Sequence, residues 1–282
     1  MHPDVSMLPQ TGREPAPSEF LTVLVACLNE AEMVDETVRD ILRVGAGLPI
    51  DFEVLLIDDG STDGTRDRME AICAAESRCR MIVNERNMGL GRAVLSAYAY
   101  VRPGSWVTVM PGDAEILFES IHGYLRIRHD YDVILGYLQN PVIRTLTRRI
   151  ASFVFSKAVH TLYGFPYRYL NGLKLYRVEA FQGIPVLSTG HAFSAELLAK
   201  AQLRNPMLRV GEAPFANRGR AGGGSKAFRL RSILHAVRDV ALGYRSVARY
   251  REECIREQVR PASPLMDRPR PREREGEKPP SA

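Results

Sequence analysis

The sequence predicts an α/β fold: a doubly wound, mainly parallel sheet followed by C-terminal amphipathic helices. Three observations predict it. Residues 20–84 alternate short β-branched apolar runs with helical periodicity, in the order strand, helix, strand, helix, strand, which is how helical crossovers build a parallel sheet. Val54-Leu55-Leu56-Ile57 is a short apolar run that stops at Asp58-Asp59-Gly60, as expected of a strand buried on both faces. Two later stretches, 142–164 and 229–258, pair an apolar stripe with arginines, so both read as amphipathic helices.

Residues 1–18 carry four prolines and no periodicity, and are expected to be a disordered arm. Leu21–Ala26 is the first strand. Asn29 is placed to cap a helix over 31–44, in which Met33, Val34, Val38, Ile41 and Leu42 recur at helical spacing. The second strand, 52–57, runs into Asp58-Asp59-Gly60-Ser61-Thr62-Asp63-Gly64-Thr65. There the two glycines allow a tight turn, and Thr62 or Asp63 can cap the next helix, 66–76. Ligands of open α/β sheets bind beyond the carboxyl ends of the strands, so Asp58 and Asp59 stand where a ligand would. A third strand covers 81–84. After it Gly89-Leu90-Gly91 opens a helix reaching about residue 100. A helix start behind glycines suits an anion, and helix–sheet packing explains it equally well.

Trp106–Met110 is a fourth strand, ending in Pro111-Gly112-Asp113-Ala114-Glu115. On an extended chain Asp113 and Glu115 would point to one side and could hold a hard divalent cation together with phosphates. Strands are expected at 131–135, 173–176 and 207–212, with a helix over 192–201 that contains Glu196. Asn217–Lys226 is a glycine-rich basic loop. On the helix from Leu230, residues Ile233, Leu234, Val237, Val240, Tyr244 and Val247 form one apolar stripe. The tail, 259–282, is proline-rich and charged, and is expected to be disordered. The units are therefore the arm, a domain over 19–228, the helix at 229–258 and the tail.

Charge is uneven. From Glu19 to Asp132 there are 11 basic and 20 acidic residues, and from Val133 to Arg238 there are 16 basic and 3 acidic. The second half should attract phosphate or anionic lipid; neutralisation of the first half is the plainer alternative. No nucleic-acid motif accompanies it, so nucleic acid is not an expected partner. Cys27, Cys73, Cys79 and Cys254 lack metal-ligand spacing and read as reduced thiols of a cytoplasmic protein. No apolar run approaches the roughly 18 residues of a membrane span, and no signal-peptide run opens the chain.

Asn29-Glu30, Asp58 to Thr65, Asn87-Met88-Gly89-Leu90-Gly91 and Asp113-Ala114-Glu115 resemble family 2 glycosyltransferases of the GT-A, Rossmann-like fold. The resemblance spans about residues 20–230. The spaced Arg220, Gly223, Ser225 and Lys226 resemble the Arg-x-x-Gly-x-Ser-Lys element of polyprenol-phosphate sugar synthases of the dolichol-phosphate mannosyltransferase type. Asn171-Gly172-Leu173-Lys174 resembles their Gly-Phe-Arg/Lys segment. The resemblance implies that Leu28, Asn29 and Glu30 hold the base and ribose of a nucleotide-diphosphate sugar. Asp58 would contact base or ribose with Asp59 beside it, and Asn87, Gly89 and Gly91 would shape the donor pocket. Asp113 and Glu115 match the second and third positions of an Asp-x-Asp-x-Gln metal element for Mg2+ or Mn2+. Arg148 or Arg149, with Arg220, Ser225 and Lys226, would bind donor and acceptor phosphates. Asp113, Arg220 and Lys226 form the implied catalytic set.

The first position of that metal element is Pro111, which has no ligating side chain. This departure implies weaker or different metal binding, and leaves open both activity without a metal and a degenerate nucleotide-binding module at a membrane surface. The implied reaction is sugar transfer to a lipid phosphate, with inversion, by a peripheral protein on the inner face of a membrane. A phosphate acceptor is already ionised and needs no strong base. A soluble hydroxyl acceptor would need one, drawn from Asp113, Glu115 or Glu196.

Overall fold

The computed structural model describes residues 19–139, 146–190, 192–218 and 230–259, with backbone alone at 146–152, 154–155, 230–236 and 257–259. Among them lie seven strands, β1 (Phe20–Cys27), β2 (Asp51–Asp58), β3 (Cys79–Val83), β4 (Trp106–Pro111), β5 (Val133–Leu138), β6 (Lys174–Arg177) and β7 (Val210–Phe215). The helices are α1 (Val34–Gly45), α2 (Thr65–Ala75), α3 (Leu90–Ala97), α4 (Ile121–Ile127), α5 (Leu146–Tyr163), the single turn α6 (Val178–Phe181), α7 (Phe193–Arg204) and α8 (Leu230–Val259).

The strands form one sheet in the order β3-β2-β1-β4-β6-β5-β7. Every pairing is parallel except those of β6, which runs antiparallel to β4 and β5. The doubly wound, mainly parallel reading therefore holds. Register decides what meets at the sheet's end: Cys27 lies opposite Asp58 on β2, and Ala26 opposite Pro111 on β4. The acidic ends of β2 and β4 thus flank the end of β1.

Alternation along the strands feeds two apolar layers. Val23, Val25 and Leu56 pack with Val38, Ile41, Met69 and Tyr124 on one face, while Leu24, Leu55 and Ile57 pack with Val94, Leu198 and Val240 on the other. Each such fully buried aliphatic side chain stabilises by about 1.5–3 kcal/mol, so the central strands are rigid supports for the loops at their ends.

Two local expectations change. α1 starts at Val34 with no side-chain cap. Asn29 instead adopts a left-handed φ of 57° and turns its Oδ1 to accept the Thr62 amide at 2.9 Å. β7 lies three residues later than 207–212, because Met207 points into solvent at 82% exposure. α8 runs to Val259, and Val240 and Val247 join the main core.

Candidate functional site

Cys27 ends β1 among acidic residues: burial pushes its thiol pKa up to about 12, and the charges of Glu30, Asp58, Asp113 and Asp63 add to the rise. Asp58 is fully buried; it accepts the Ser61 amide at 2.9 Å and Arg66 Nε at 3.1 Å. Asp59 accepts Asn84 Nδ2 at 3.0 Å and the amides of Met88 and Gly89 at 2.9 Å each. Asp63 accepts the Ala31 amide at 3.3 Å and the Thr65 amide at 3.1 Å, so it braces the start of α2 and ties it to the loop after β1. The Glu30 amide donates to Thr65 Oγ1 at 2.8 Å, and the Asn29 amide to Ser61 Oγ at 3.0 Å. Loops 28–31 and 60–65 are thereby laced together beneath Leu28 and Asn29, both exposed on the rim. Asp58 shapes the 60–65 loop and Asp59 the 84–89 turn, with oxygens that already hold partners.

Gly60 takes a φ of 77°, and a β-carbon there would sit 2.6 Å from the Arg86 backbone. The 60–65 and 86–91 turns therefore touch. Gly89 and Gly91 are explained by packing. Their β-carbons would lie 2.6 Å from the Thr189 carbonyl oxygen and 2.7 Å from Phe193 Cβ. The Gly91 amide donates to the same Thr189 oxygen at 3.0 Å. With the Gly89 amide on Asp59 and the Gly91 amide on Thr189, two of the donors at the head of α3 are occupied within the protein. Asn87 stands in this turn and accepts the Gly89 amide at 2.9 Å.

The segment after β4 is not extended, contrary to the alternation expected for Asp113 and Glu115. Ala114 has a left-handed φ of 52° and bends the chain between them. The Ala114 amide donates to Thr37 Oγ1 at 3.0 Å, and that oxygen lies 3.0 Å from the Gly112 carbonyl. Asp113 Oδ1 accepts the Glu115 amide at 3.1 Å. A left-handed alanine costs about 1–2 kcal/mol, and such strain gathers at functional sites. Here it turns the chain between the two residues assigned to a metal. Among the described residues no group of three or more His, Cys, Asp and Glu side chains gathers as a metal nest. Two carboxylates fit a cation whose other ligands come from a diphosphate and water.

The same turn is fastened to the basic segment. Ile116 and Asn217 form an antiparallel bridge. The Leu117 amide donates to Ala216 O at 3.0 Å, and the Arg218 amide to Glu115 O at 2.9 Å. The Arg218 guanidinium pairs with Glu36 and, at 3.2 Å, with Asp40 on α1. Arg220, Ser225 and Lys226 lie outside the described residues. Arg148 and Arg149 lie on α5, their side chains likewise outside. Lys174 Nζ donates to Gly172 O at 3.0 Å, and burial lowers its pKa to about 8. Part of the basic excess does neutralise the first half: Arg209 pairs with Asp132 at 2.9 Å, and Arg177 lies 3.6 Å from Glu19.

Sequence reasoning missed the polar clamps around α7. Glu196 is fully buried; it accepts the Ser188 amide at 2.8 Å, the Ser188 hydroxyl, and Lys200 Nζ at 2.8 Å. Burial alone would raise its pKa, but Lys200 and Ser188 hold it below its ordinary value. So held, it is not available as a base. Lys200 Nζ also donates to Ser246 Oγ on α8 at 2.6 Å. The α8 stripe is split: Val240 and Val247 face inward beside Asp239 and Ser246, while Val237 is 64% exposed and Tyr244 and Leu242 also face outward. Arg238, Arg245 and Arg249 are exposed beside them. On α5, Phe153 is 71% exposed, and Leu162 lies outward near Tyr244 across a groove of about 240 Å³. Among the described residues no helix is long and apolar enough to cross a membrane.

Comparison with known proteins agrees with this architecture. The family model for "Glycosyl transferase family 2" matches residues 22–184, more than half of the chain, so the chain belongs to that family. It is 28% identical over 182 residues to a dolichol-phosphate mannosyltransferase of Saccharomyces cerevisiae, covering 62% of this chain and 68% of that one. It is 25% identical over 217 residues to a dodecaprenyl-phosphate galacturonate synthase of Rhizobium johnstonii, covering 76% of this chain and 63% of the relative. The chain thus spans less than two thirds of the Rhizobium protein's length. Among solved structures, glucosyl-3-phosphoglycerate synthase from Mycobacterium tuberculosis, in complex with Mn2+, UDP and phosphoglyceric acid, superposes with a TM-score of 0.58 at 17% identity. That alignment covers 81% of this chain and 78% of that one. The fold is that of the GT-A glycosyltransferases.

Proposed function

We propose that this family 2 glycosyltransferase moves a sugar from a nucleoside-diphosphate sugar to the phosphate of a polyprenyl lipid, with inversion, while lying on the cytoplasmic face of a membrane. The observation that carries the reading is the short ladder between 115–117 and 216–218. It brings Asn217 and Arg218, the first residues of the basic segment, beside the Asp113–Glu115 turn, which supports a reading in which leaving-group and acceptor phosphates meet carboxylate-bound metal and cations at one place. The lipid acceptor is supported by the names of the yeast and Rhizobium relatives. Membrane contact is supported by the outward apolar side chains of α5 and α8 and the arginines beside them.

In this reading Leu28, Asn29 and Glu30 face the base and ribose, above the loops that Asp58 and Asp59 shape. Asn87, Gly89 and Gly91 form the wall of the donor pocket. Asp113 and Glu115 would hold Mg2+ or Mn2+; a divalent cation is supported by the Mycobacterium structure that contains Mn2+ with UDP-glucose. When bound, that cation neutralises charge on the leaving diphosphate. Arg220 and Lys226 act on the same charge, and Ser225, Arg148 and Arg149 hold the acceptor phosphate. An acceptor phosphate oxygen attacks the anomeric carbon. The new bond forms as the bond to the diphosphate breaks, and the nucleoside diphosphate leaves with the electron pair. An ionised phosphate needs no strong base, which suits a chain whose Glu196 is fully engaged.

A second reading, transfer to a soluble acceptor, is favoured by the phosphoglyceric acid held in the Mycobacterium structure. Asp113 or Glu115 would then serve as the base. One experiment separates the two. The protein is incubated with labelled UDP-glucose, GDP-mannose or UDP-galacturonate, with and without Mn2+ or Mg2+, in parallel arms that hold undecaprenyl phosphate in anionic vesicles or phosphoglyceric acid in solution. Label extracted into organic solvent is the expected result. Label in a new water-soluble product supports the second reading, and nucleotide binding with no transfer in any arm sinks both.

A further inference from the structure

We infer that Asp239, on the C-terminal helix and beyond the residues matched by the family, is a positioning residue for the nucleotide-sugar pocket. The inference rests on the assignment of Asn87, Gly89 and Gly91 to that pocket. Asp239 is only 8% exposed. Its Oδ1 accepts the amides of Thr189 at 2.7 Å and Gly190 at 3.1 Å, and its Oδ2 accepts those of Gly190 and Ala192 at 3.1 Å each. One buried carboxylate thus gathers three backbone donors that lead into α7. The fit is close, since a β-carbon on Gly190 would lie 3.1 Å from Asp239 Oδ2.

The gathered segment is the surface on which the glycine turn rests. Thr189 O accepts the Gly91 amide at 3.0 Å. It would lie 2.6 Å from a β-carbon on Gly89, and Ser188 O would lie 2.9 Å from one on Gly91. Glu196 grips Ser188 from the other side, and Lys200 links Glu196 to Ser246 one helical stretch beyond Asp239. Two points on α8 therefore fix residues 188–192, and residues 188–189 fix the turn at 89–91. A buried carboxylate that accepts several backbone amides holds them at one geometry. Displacing Asp239 releases Thr189, and with it the acceptor of the Gly91 amide.

The test uses the full chain as wild type, Asp239→Asn and Asp239→Ala. Amide exchange is followed at 86–93, with β1 as the internal reference, and UDP and GDP are titrated in the presence of Mn2+. Asp239→Ala is expected to speed exchange at 89–93 about tenfold with β1 unchanged, and to weaken nucleotide binding about fivefold or more. Asp239→Asn, nearly isosteric and able to keep one acceptor oxygen, should fall between; it also serves if the alanine variant unfolds and β1 exchange rises. Unchanged exchange at 86–93 overturns the inference. So does faster exchange with unaltered affinity, which leaves Asp239 a helix-packing role alone. A wild type that binds neither nucleotide defeats the pocket assignment, and the exchange arm then still decides whether the clamp reaches 86–93.

Discussion

The carboxylates that end β2 and those buried among the C-terminal helices perform one task over different distances. Asp58 and Asp59 sit at the carboxyl end of β2, an interior strand, and bind backbone and side-chain donors of adjacent turns. Glu196 and Asp239 are sealed between helices. Asp239 reaches amides 47–50 residues away in sequence, and Lys200 connects Glu196 to a serine 46 residues on. The first pair shapes loops that open to solvent and toward the proposed donor. The second pair holds together the elements that support those loops. All four carboxylates are buried, so the cation sets the energetics apart: Lys200 is sealed off with Glu196, and an ion pair closed off from water is severely unbalanced when one member is lost, whereas Arg66, the cation on Asp58, stands partly in water.

Lys200→Met tests that contrast most severely. It strands the buried Glu196 charge and should lower stability by about 3–5 kcal/mol, read from urea denaturation; a loss under about 1 kcal/mol would show that water reaches this clamp. Asp113→Ala is expected to reduce transfer by on the order of 100-fold or more while leaving the melting temperature nearly unchanged, since its role is proposed to be chemical. Turnover equal to wild type would remove Asp113 from the mechanism. Asp59→Asn deprives one of the Asn84, Met88 or Gly89 donors of its acceptor and should cost about 1–3 kcal/mol, with the loss of exchange protection confined to 84–91.

Acid distinguishes the two regions further. Glu196 titrates below its ordinary value of 4.5 in the folded protein. The unfolded chain therefore takes up a proton that the folded chain refuses. This stabilising contribution is complete above about pH 4.5 and is lost as the pH falls through the lower folded value. The urea midpoint of the wild type should drop in that window, and less steeply in a Glu196→Gln, Lys200→Met double variant; equal slopes would assign the acid sensitivity to other carboxylates. The smallest expected effect lies at Gly64, whose φ of 88° faces open space. Gly64→Ala should cost about 1 kcal/mol through backbone strain alone and Gly64→Asn less, as thermal melts can check.

Where a contact joins neighbouring strand ends, the residues announced it. Val54–Ile57 followed by Asp58-Asp59-Gly60 marks a buried strand and its turn, because burial on two faces and a left-handed glycine are local requirements. Asn29 shows the limit of that reasoning. A cap residue before a helix is a sound local expectation, yet Asn29 turns to Thr62 because strand register brings the two loops side by side. The bend at Ala114 was hidden for the same reason, since Thr37 on α1 holds it.

By itself the sequence determined the alternation of strands and helices, the acidic strand ends and the basic later half, all of which follow from periodicity and residue chemistry over short spans. Only the tertiary structure decided which carboxylates are occupied, which face of α8 is buried, and that Asp239 and Lys200 are clamps. Those outcomes depend on groups far apart in the chain whose hydrogen-bonding needs can be met only once the helices have packed.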